Sequence, residues 1–198
     1  MFSGIVEAKS KIVEIKNFDQ ALRIWVAKPP SFDDLKIGDS ICTNGICLTV
    51  EKFDQKTIQF CLGQETLKIL GDSFASWNNH ELNLERSLQF GSRVHGHLVT
   101  GHVDSLCTVT QSYQDGDCWQ IAVQVPDHLK TFFWQKGSVC LNGVSLTVNS
   151  FDQKTLKVCL IPETIAATNL VSYAVGQKIN LEADYLAKAY IYSKGSPL

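Results

Sequence analysis

Several features that would quickly assign a class are missing from this chain. No apolar run approaches the roughly 20 residues that a membrane-spanning helix needs. Neither sign of charge dominates: 18 Lys and Arg stand against 20 Asp and Glu, net −2 with a pI near 6.2. Nothing in that balance favours a nucleic-acid or anionic-membrane partner. The start, MFSGIVEAKSK, carries an acid at position 7 and no apolar core, so no secretory signal is predicted. The seven cysteines (42, 47, 61, 107, 118, 140, 159) are odd in number and form no C-x-x-C pair. That pattern predicts reduced thiols in a cytoplasmic protein, mostly small core residues.

What is present is a repeat. NGICLTVEKFDQKT, from Asn44, returns as NGVSLTVNSFDQKT, from Asn142. Between 44–66 and 142–164, 14 of 23 positions are identical. The echo extends outward: Ser40 and Cys42 match Ser138 and Cys140, Asn83-Leu84-Glu85 matches Asn180-Leu181-Glu182, and Ser3–Glu7 aligns with Thr100–Asp104. The period of about 97 residues is too long for a solenoid unit and long enough for a separate core. The chain therefore reads as a duplicated domain, with 89–97 (QFGSRVHGH) as the junction.

Each copy reads as β. ALRIWVAKP alternates, with Leu22, Ile24 and Val26 on one side, and Asn44-Gly45 and Asn142-Gly143 are hairpin-turn signals. Short strands with frequent turns predict a small sandwich or closed barrel. SFDDLKIG and DHLKTFFWQKG read as short helices, and ADYLAKAYIYSK as a C-terminal helix.

Features shared by both copies serve the fold or a common ligand; features in one copy are candidates for asymmetric chemistry. Asn-Gly, Leu-Thr-Val and Glu-Thr are shared. Thr49 and Thr147 are at least β-formers, and Glu65-Thr66 and Glu163-Thr164 either solvated or ligand-facing. Cys47 against Ser145, Ile5 against His102, and Arg86 against Tyr185 differ between copies. In HGHLVTGH, His95, His97 and His102 admit a metal reading, but H-x-H alone is a weak ligand signature. A general acid or base and a structural histidine remain alternatives.

Taken together, MFSGIVE, NGICLTV, GHLVTGHVD, KGSVCLNGVSLTV, IPETIAATNL and INLEADYLAK resemble the riboflavin synthase family, alpha-chain type, over almost the whole chain. The resemblance implies an all-β fold of two tandem six-stranded Greek-key barrels, 1–97 and 98–186, with a short C-terminal helix and tail, 187–198. It implies a homotrimer with the productive site between the N-terminal barrel of one subunit and the C-terminal barrel of the next. Two molecules of 6,7-dimethyl-8-ribityllumazine bind per chain. A four-carbon unit passes between them, giving riboflavin and 5-amino-6-ribitylamino-2,4(1H,3H)-pyrimidinedione without metal or other cofactor. Association with a lumazine synthase is a further implied partner.

Carried over residue by residue, the family's functional positions fall on Phe2, Cys47, Thr49, His102, Ser145, Thr147 and Asp184. The resemblance assigns methyl deprotonation to His102 with Thr147 and adduct formation to Ser145, Cys47 or a water they hold. It gives orientation to Asp184 and ring cover to Phe2. The substrate walls map to Gly4, Ile5 and Val6, to Cys47, Leu48 and Thr49, and to Cys61, Leu62, Gly63, Gln64, Glu65 and Thr66. They continue at Gly101, His102 and Val103, at Lys136, at Ser145, Leu146 and Thr147, and at Cys159, Leu160, Ile161, Pro162, Glu163 and Thr164. Three features depart from the pattern: His95 stands where glycine is expected, ETLKIL lacks the later threonine of ETIAATNL, and only 14 residues follow Asp184. Two rival functions follow: a non-catalytic lumazine- or flavin-binding protein of the same fold, and a metal-dependent hydrolase using HGHLVTGH.

Overall fold

The computed structural model describes residues 1–18 and 21–195. The end of the expected tail, 196–198, lies outside the described residues. The first repeat contains β1 (Ala8–Ser10), β2 (Ile12–Phe18), β3 (Ala21–Ala27), β4 (Ser40–Thr43), β5 (Ile46–Phe53), β6 (Thr57–Gly63), α1 (Gln64–Leu70) and β7 (Leu82–Arg86). The second contains β8 (Ser105–Asp115), β9 (Cys118–Gln124), β10 (Ser138–Leu141), β11 (Val144–Thr147), β12 (Ser150–Phe151), β13 (Thr155–Leu160), α2 (Pro162–Ala167) and β14 (Lys178–Ala183), followed by α3 (Tyr185–Ser193).

Each repeat forms one antiparallel sheet of seven assigned strands, in the orders β1-β7-β4-β5-β6-β3-β2 and β11-β10-β14-β8-β9-β13-β12. The two ends of each sheet are consecutive pieces of one strand. β1 and β2 are separated only by Lys11, and β11 and β12 only by Val148 and Asn149. Counted once, that strand closes each sheet into a six-stranded barrel, which leaves no free edge. The connections from β3 to β4 and from β6 to β7 cross the barrel to non-adjacent strands, which is the Greek-key pattern.

Alternation explains the two cores. In β3, Leu22, Ile24 and Val26 point inward, against Ile58, Phe60 and Leu62 of β6. In the second barrel Ile121, Val123 and Val125 meet Leu156, Val158 and Leu160, while Trp119 is half-buried and donates its Nε1–H to Ser112 Oγ at 3.0 Å. Burying side chains of this size stabilises by about 1.5–3 kcal/mol each, so each repeat carries its own core.

The repeated motifs have local causes. Asn44 and Gly45 (φ 48° and 87°), and Asn142 and Gly143 (φ 46° and 81°), take two successive left-handed positions, as a type I′ hairpin turn requires. The two turns also touch: a Cβ on Gly45 would lie 2.8 Å from the Gly143 nitrogen, and the converse distance is also 2.8 Å. In each FDQKT, the aspartate side chain closes a turn; Asp54 Oδ1 accepts the Lys56 and Thr57 amides, and Asp152 Oδ1 those of Lys154 and Thr155.

Three expectations about helices change. Ser31–Gly38 is a run of turns, because its backbone is spent on Pro29 O, Val50 O and the Asp39 carboxylate. DHLKTF forms a short 3₁₀ helix, Asp127–Phe132, and the C-terminal helix starts at Tyr185, capped by Asp184. QETLKIL and PETIAA, to which no element was assigned, form the helices α1 and α2, the second started by Pro162.

Between the barrels lies a polar cluster on a pseudo-twofold axis. Asn83 Nδ2 donates to Asn142 O (3.0 Å), and Asn180 Nδ2 to Asn44 O (2.7 Å). Asn169 joins them: its Nδ2 reaches Asn44 Oδ1 at 2.8 Å and Glu81 O at 2.6 Å, and its Oδ1 accepts from Asn83 Nδ2 at 2.9 Å. All of these asparagines are buried. A buried polar group without a partner is costly, so these paired groups, among which Asn44 Nδ2 alone lacks a partner among the described residues, fix one orientation of the barrels.

Candidate functional site

The segment preceding the first strand of each repeat reaches across to the other barrel. Phe2 and Val99 form a two-bond antiparallel bridge (Phe2 N–H to Val99 O 2.8 Å; Val99 N–H to Phe2 O 3.0 Å). Gly4 O then accepts the Ser145 amide, and Gly101 O the Cys47 amide, each at 2.8 Å. Val6 packs on the second core and Val103 enters the first. Each arm is held at its base by a buried carboxylate. Glu85 accepts from Ser3 N–H (2.7 Å), Ser3 Oγ (2.8 Å) and Gly4 N–H (2.9 Å); Glu182 accepts from Thr100 N–H (2.7 Å), Thr100 Oγ1 (2.7 Å) and Gly101 N–H (3.0 Å). Burial pushes both carboxyls above the usual range, opposed by those donors.

The close approach dictates glycine. Gly4 (φ 75°) and Gly101 (φ 77°) are left-handed, and a Cβ on either would stand 2.6 Å from the Cβ of Ser145 or Cys47 respectively. The two asymmetric residues are thus equivalent in place: each lies under the arm of the opposite repeat.

Around Cys47 the arm leaves a pocket of about 380 Å³. Its floor is Ile46 and Cys47, one wall is Glu65, Thr66 and Ile69 of α1, and the other is Gly101, His102 and Val103. His102 is exposed, and its amide donates to Thr100 Oγ1 at 3.2 Å.

Around Ser145 the equivalent space is filled differently. Residues 93–97 precede the second arm. His97 Nδ1 lies 2.7 Å from Ser145 Oγ, and its amide donates to Ser3 O at 3.2 Å. Gly96 passes so close that a Cβ would sit 2.7 Å from Ser145 Oγ, which explains the glycine inside H-G-H. Burial pushes the His97 imidazole below its ordinary pKa, opposed by the charge of Asp184, and its Nε2 is buried without a hydrogen-bond partner among the described residues. Asp184 itself accepts the Leu186 amide at 2.8 Å. A neutral imidazole on a serine hydroxyl can accept a proton from that hydroxyl or from a water it orients.

The expected site residues separate into groups. Cys47, Glu65, Thr66, Gly101, His102 and Val103 come together, and Gly4 meets Ser145, while Asp184 bears on that place only through its charge on His97. Thr49 and Thr147 are exposed on the strands carrying Cys47 and Ser145, two residues beyond each. Leu48, Leu62, Leu146 and Leu160 point into the cores, so only their backbones can face a ligand. Cys61 and Cys159 are half-buried on the outer faces, and Gly63, Gln64, Ile161, Pro162 and Glu163 are exposed where β6 and β13 turn into α1 and α2, with Thr164 half-buried beside them. Ile5 is exposed, and Lys136 stands exposed on the turn entering β10. Phe2 is fully buried with Cys42, Val99 and Cys140, anchoring its arm rather than presenting a ring to the surface. No hydrogen bond within the chain joins His102 to Thr147 among the described residues. The three histidines diverge: His95 borders a separate cleft with Ile5 and Ser40, His97 meets Ser145, and His102 faces the Cys47 pocket. That divergence removes the geometry on which the metal reading of HGHLVTGH depended. His97, for which metal, acid–base and structural readings all stood open and which the family's positions did not include, is the residue that meets Ser145; its signal was the glycine before it.

Comparison with known proteins agrees with the duplication. The lumazine binding domain model matches twice, over residues 3–87 and 100–184. The chain is 39% identical to the riboflavin synthase of Photobacterium leiognathi, over 95% of this chain and 86% of that protein. It is 34% identical to that of Brucella abortus (95% of each chain) and 32% identical to that of Bacillus subtilis (97% and 88%). Among solved structures, LumP complexed with riboflavin superposes with a TM-score of 0.84 at 22% identity, covering 92% of this chain and 99% of that one. LumP complexed with 6,7-dimethyl-8-(1'-D-ribityl) lumazine gives 0.81 at 21% identity, with the same coverage.

Proposed function

The chain belongs to the riboflavin synthase family, and from that premise we propose that it converts two molecules of 6,7-dimethyl-8-ribityllumazine into riboflavin and 5-amino-6-ribitylamino-2,4(1H,3H)-pyrimidinedione. It is a transferase: a four-carbon unit leaves one lumazine and joins the other. The observation that carries this reading is the pair of equivalent places under the exchanged arms. One is furnished with Cys47 and His102, the other with Ser145 and His97. A dismutation needs two copies of one substrate in unlike roles, and two like sites with unlike side chains suit it.

The lumazine 7-methyl group is acidic because its anion delocalises into the ring. Holding two rings face to face removes much of the entropic barrier, an effect worth roughly 7–11 kcal/mol in well-oriented systems. His102 with Thr147 takes the methyl proton. Ser145 or Cys47, or a water they hold, adds at C7, with His97 accepting the proton and Asp184 opposing the burial that weakens His97 as a base. Phe2 positions the first arm. Ile161 to Thr164, and Gly63 to Thr66, hold the pyrimidine edges. No metal or other cofactor takes part.

His102 and Thr147 belong to different places within one chain, so their cooperation supports a site between the N-terminal barrel (1–97) of one subunit and the C-terminal barrel (98–186) of the next. A homotrimer supplies that arrangement. Tyr185, Leu186, Tyr190 and Tyr192 leave large apolar surface on α3, which supports the helix as the assembly element. The protein acts in the cytoplasm and is open to association with a lumazine synthase.

The other reading, a non-catalytic lumazine-binding protein, is favoured by the fold shared with LumP. Equilibrium dialysis separates them: two lumazines per chain supports the enzyme, and one supports the binding protein.

A further inference from the structure

The cysteines sort by environment. Cys42, Cys107 and Cys140 are buried, and burial pushes each thiol up, away from the reactive thiolate. Cys47, Cys61, Cys118 and Cys159 are partly exposed. Two of these share one outer face of neighbouring strands. Cys159 lies opposite Gln120 in the ladder between β13 and β9, and Cys118 precedes Gln120 by two residues, so the thiols stand on a diagonal. The Gln120 side-chain amide lies against this pair, 3.5 Å from Cys159 Sγ and 3.2 Å from Asp115 Oδ2. Burial, and then a hydrogen bond with the Cys118 thiol, raise the pKa of Cys159.

We propose that Cys118 and Cys159 form a reversible dithiol–disulfide site, oxidised by a small disulfide of the glutathione type, that regulates ligand binding at the wall following β13. The Cys118 thiolate attacks one sulfur of the small disulfide and releases one small thiol. Cys159, on losing its proton to solvent, displaces the second. Two protein thiols and one small disulfide thus give one protein disulfide and two small thiols, with no other oxidant.

Geometry makes the bond consequential. Diagonal residues on neighbouring strands are about 7–8 Å apart, whereas a disulfide holds its Cα atoms within about 4.4–6.8 Å. The strand ends must therefore close. Cys118 is the first residue of β9, paired with Asp115 across the turn at Gly116 (φ 59°) and Asp117, so closure shifts this hairpin end. Cys159 is one residue from the end of β13, and the chain continues into Ile161–Thr164. Closing the pair displaces that segment. In the first repeat Cys61 has Arg23 opposite it, and Ala21 stands where Cys118 stands, so the device belongs to one barrel. Cys42 and Cys47 lie directly opposite one another across β4 and β5, but Cys42 is buried and its thiol is held protonated.

The ligand-binding half of this proposal rests on the function proposed above; the disulfide itself does not. The test incubates the purified full chain with oxidised glutathione, blocks the remaining thiols and maps peptides by mass spectrometry. Lumazine affinity is measured before oxidation, after it, and after dithiothreitol. The expected result is a linked Cys118–Cys159 peptide, absent in Cys118→Ser, and a severalfold loss of affinity that dithiothreitol restores and that Cys118→Ser does not show. A Cys42–Cys47 link, or stable glutathione adducts at Cys118 and Cys159 without a link, overturns the site. A link with unchanged affinity overturns the regulation. Absence of lumazine binding before oxidation refutes the proposed function instead, and the peptide map still decides the disulfide.

Discussion

Replacing Gly101 by alanine tests whether the exchanged arm builds the Cys47 pocket. The residue has φ 77°, and an added Cβ would meet Cys47 Cβ at 2.6 Å, its nitrogen at 2.7 Å and its Cα at 3.0 Å. A non-glycine residue in that backbone region costs about 1 kcal/mol or more. Relief of the clash requires the arm to retreat by several tenths of an ångström to about 1 Å, against backbone rather than a flexible side chain. Retreat breaks the 2.8 Å bond from the Cys47 amide to Gly101 O and loosens the Glu182 contacts; an unpaired buried donor costs about 1–3 kcal/mol. The total is on the order of 2–4 kcal/mol, read as a lower midpoint in chemical denaturation. His102 moves with the arm, and a displacement of about 1 Å can cost about a hundredfold in rate. Turnover should therefore fall by about tenfold or more in protein still folded at the assay temperature. A variant within about 0.5 kcal/mol of the parent and with normal turnover would refute the account of the arm.

Ser145→Ala and His97→Gln should each lower kcat far more than lumazine affinity; comparable loss of affinity would place both residues in binding alone. Burial depresses the His97 pKa from its ordinary 6.5, so the imidazole is neutral near pH 7. Turnover and the stability this group contributes should both fall as pH drops below 6.5 through the depressed value, and the His97→Gln profile should lose that acid limb. Asn169→Ala removes side-chain bonds to Asn44 Oδ1, Asn83 Nδ2 and Glu81 O; the first two groups keep the Asn83 amide and Asn142 O as partners, so the loss should be on the order of 1–3 kcal/mol in urea denaturation, and a loss under about 0.5 kcal/mol would mean that water replaces the side chain. Ending the chain after Ala183 removes α3 and the ion pair of Lys188 with Asp104 (2.9 Å). It should yield monomers with little turnover in light scattering and assay, and a fully active monomer would refute the intersubunit site.

The duplication and the β character were legible in the sequence because their causes are local, whereas patterning left sandwich and barrel both open and the six-stranded barrel came from the family resemblance. Leu22, Ile24 and Val26 alternate, Asn-Gly marks each hairpin, and the repeat gives the copy number. The crossing of the arms was not legible, since nothing in Ser3–Glu7 or Thr100–Asp104 says which barrel each segment will touch. Its only trace was glycine at Gly4 and Gly101, and glycine also serves ordinary turns. α1 and α2 were missed because six- and seven-residue helices leave little periodicity, although proline at 162 was a start signal. Phe2 stood in the right motif, but its burial depends on Val99 and Cys140, a full repeat or more away in the chain. His97 was visible as a residue; its role depends on a 2.7 Å contact with Ser145, which no spacing rule predicts.

The central claim is that two like sites with unlike side chains dismutate one substrate. Purified protein mixed with 6,7-dimethyl-8-ribityllumazine alone, followed by absorbance, tests it directly. Riboflavin should form at one molecule per two lumazines consumed, with the pyrimidinedione as co-product. Tight lumazine binding with no riboflavin formed would contradict it.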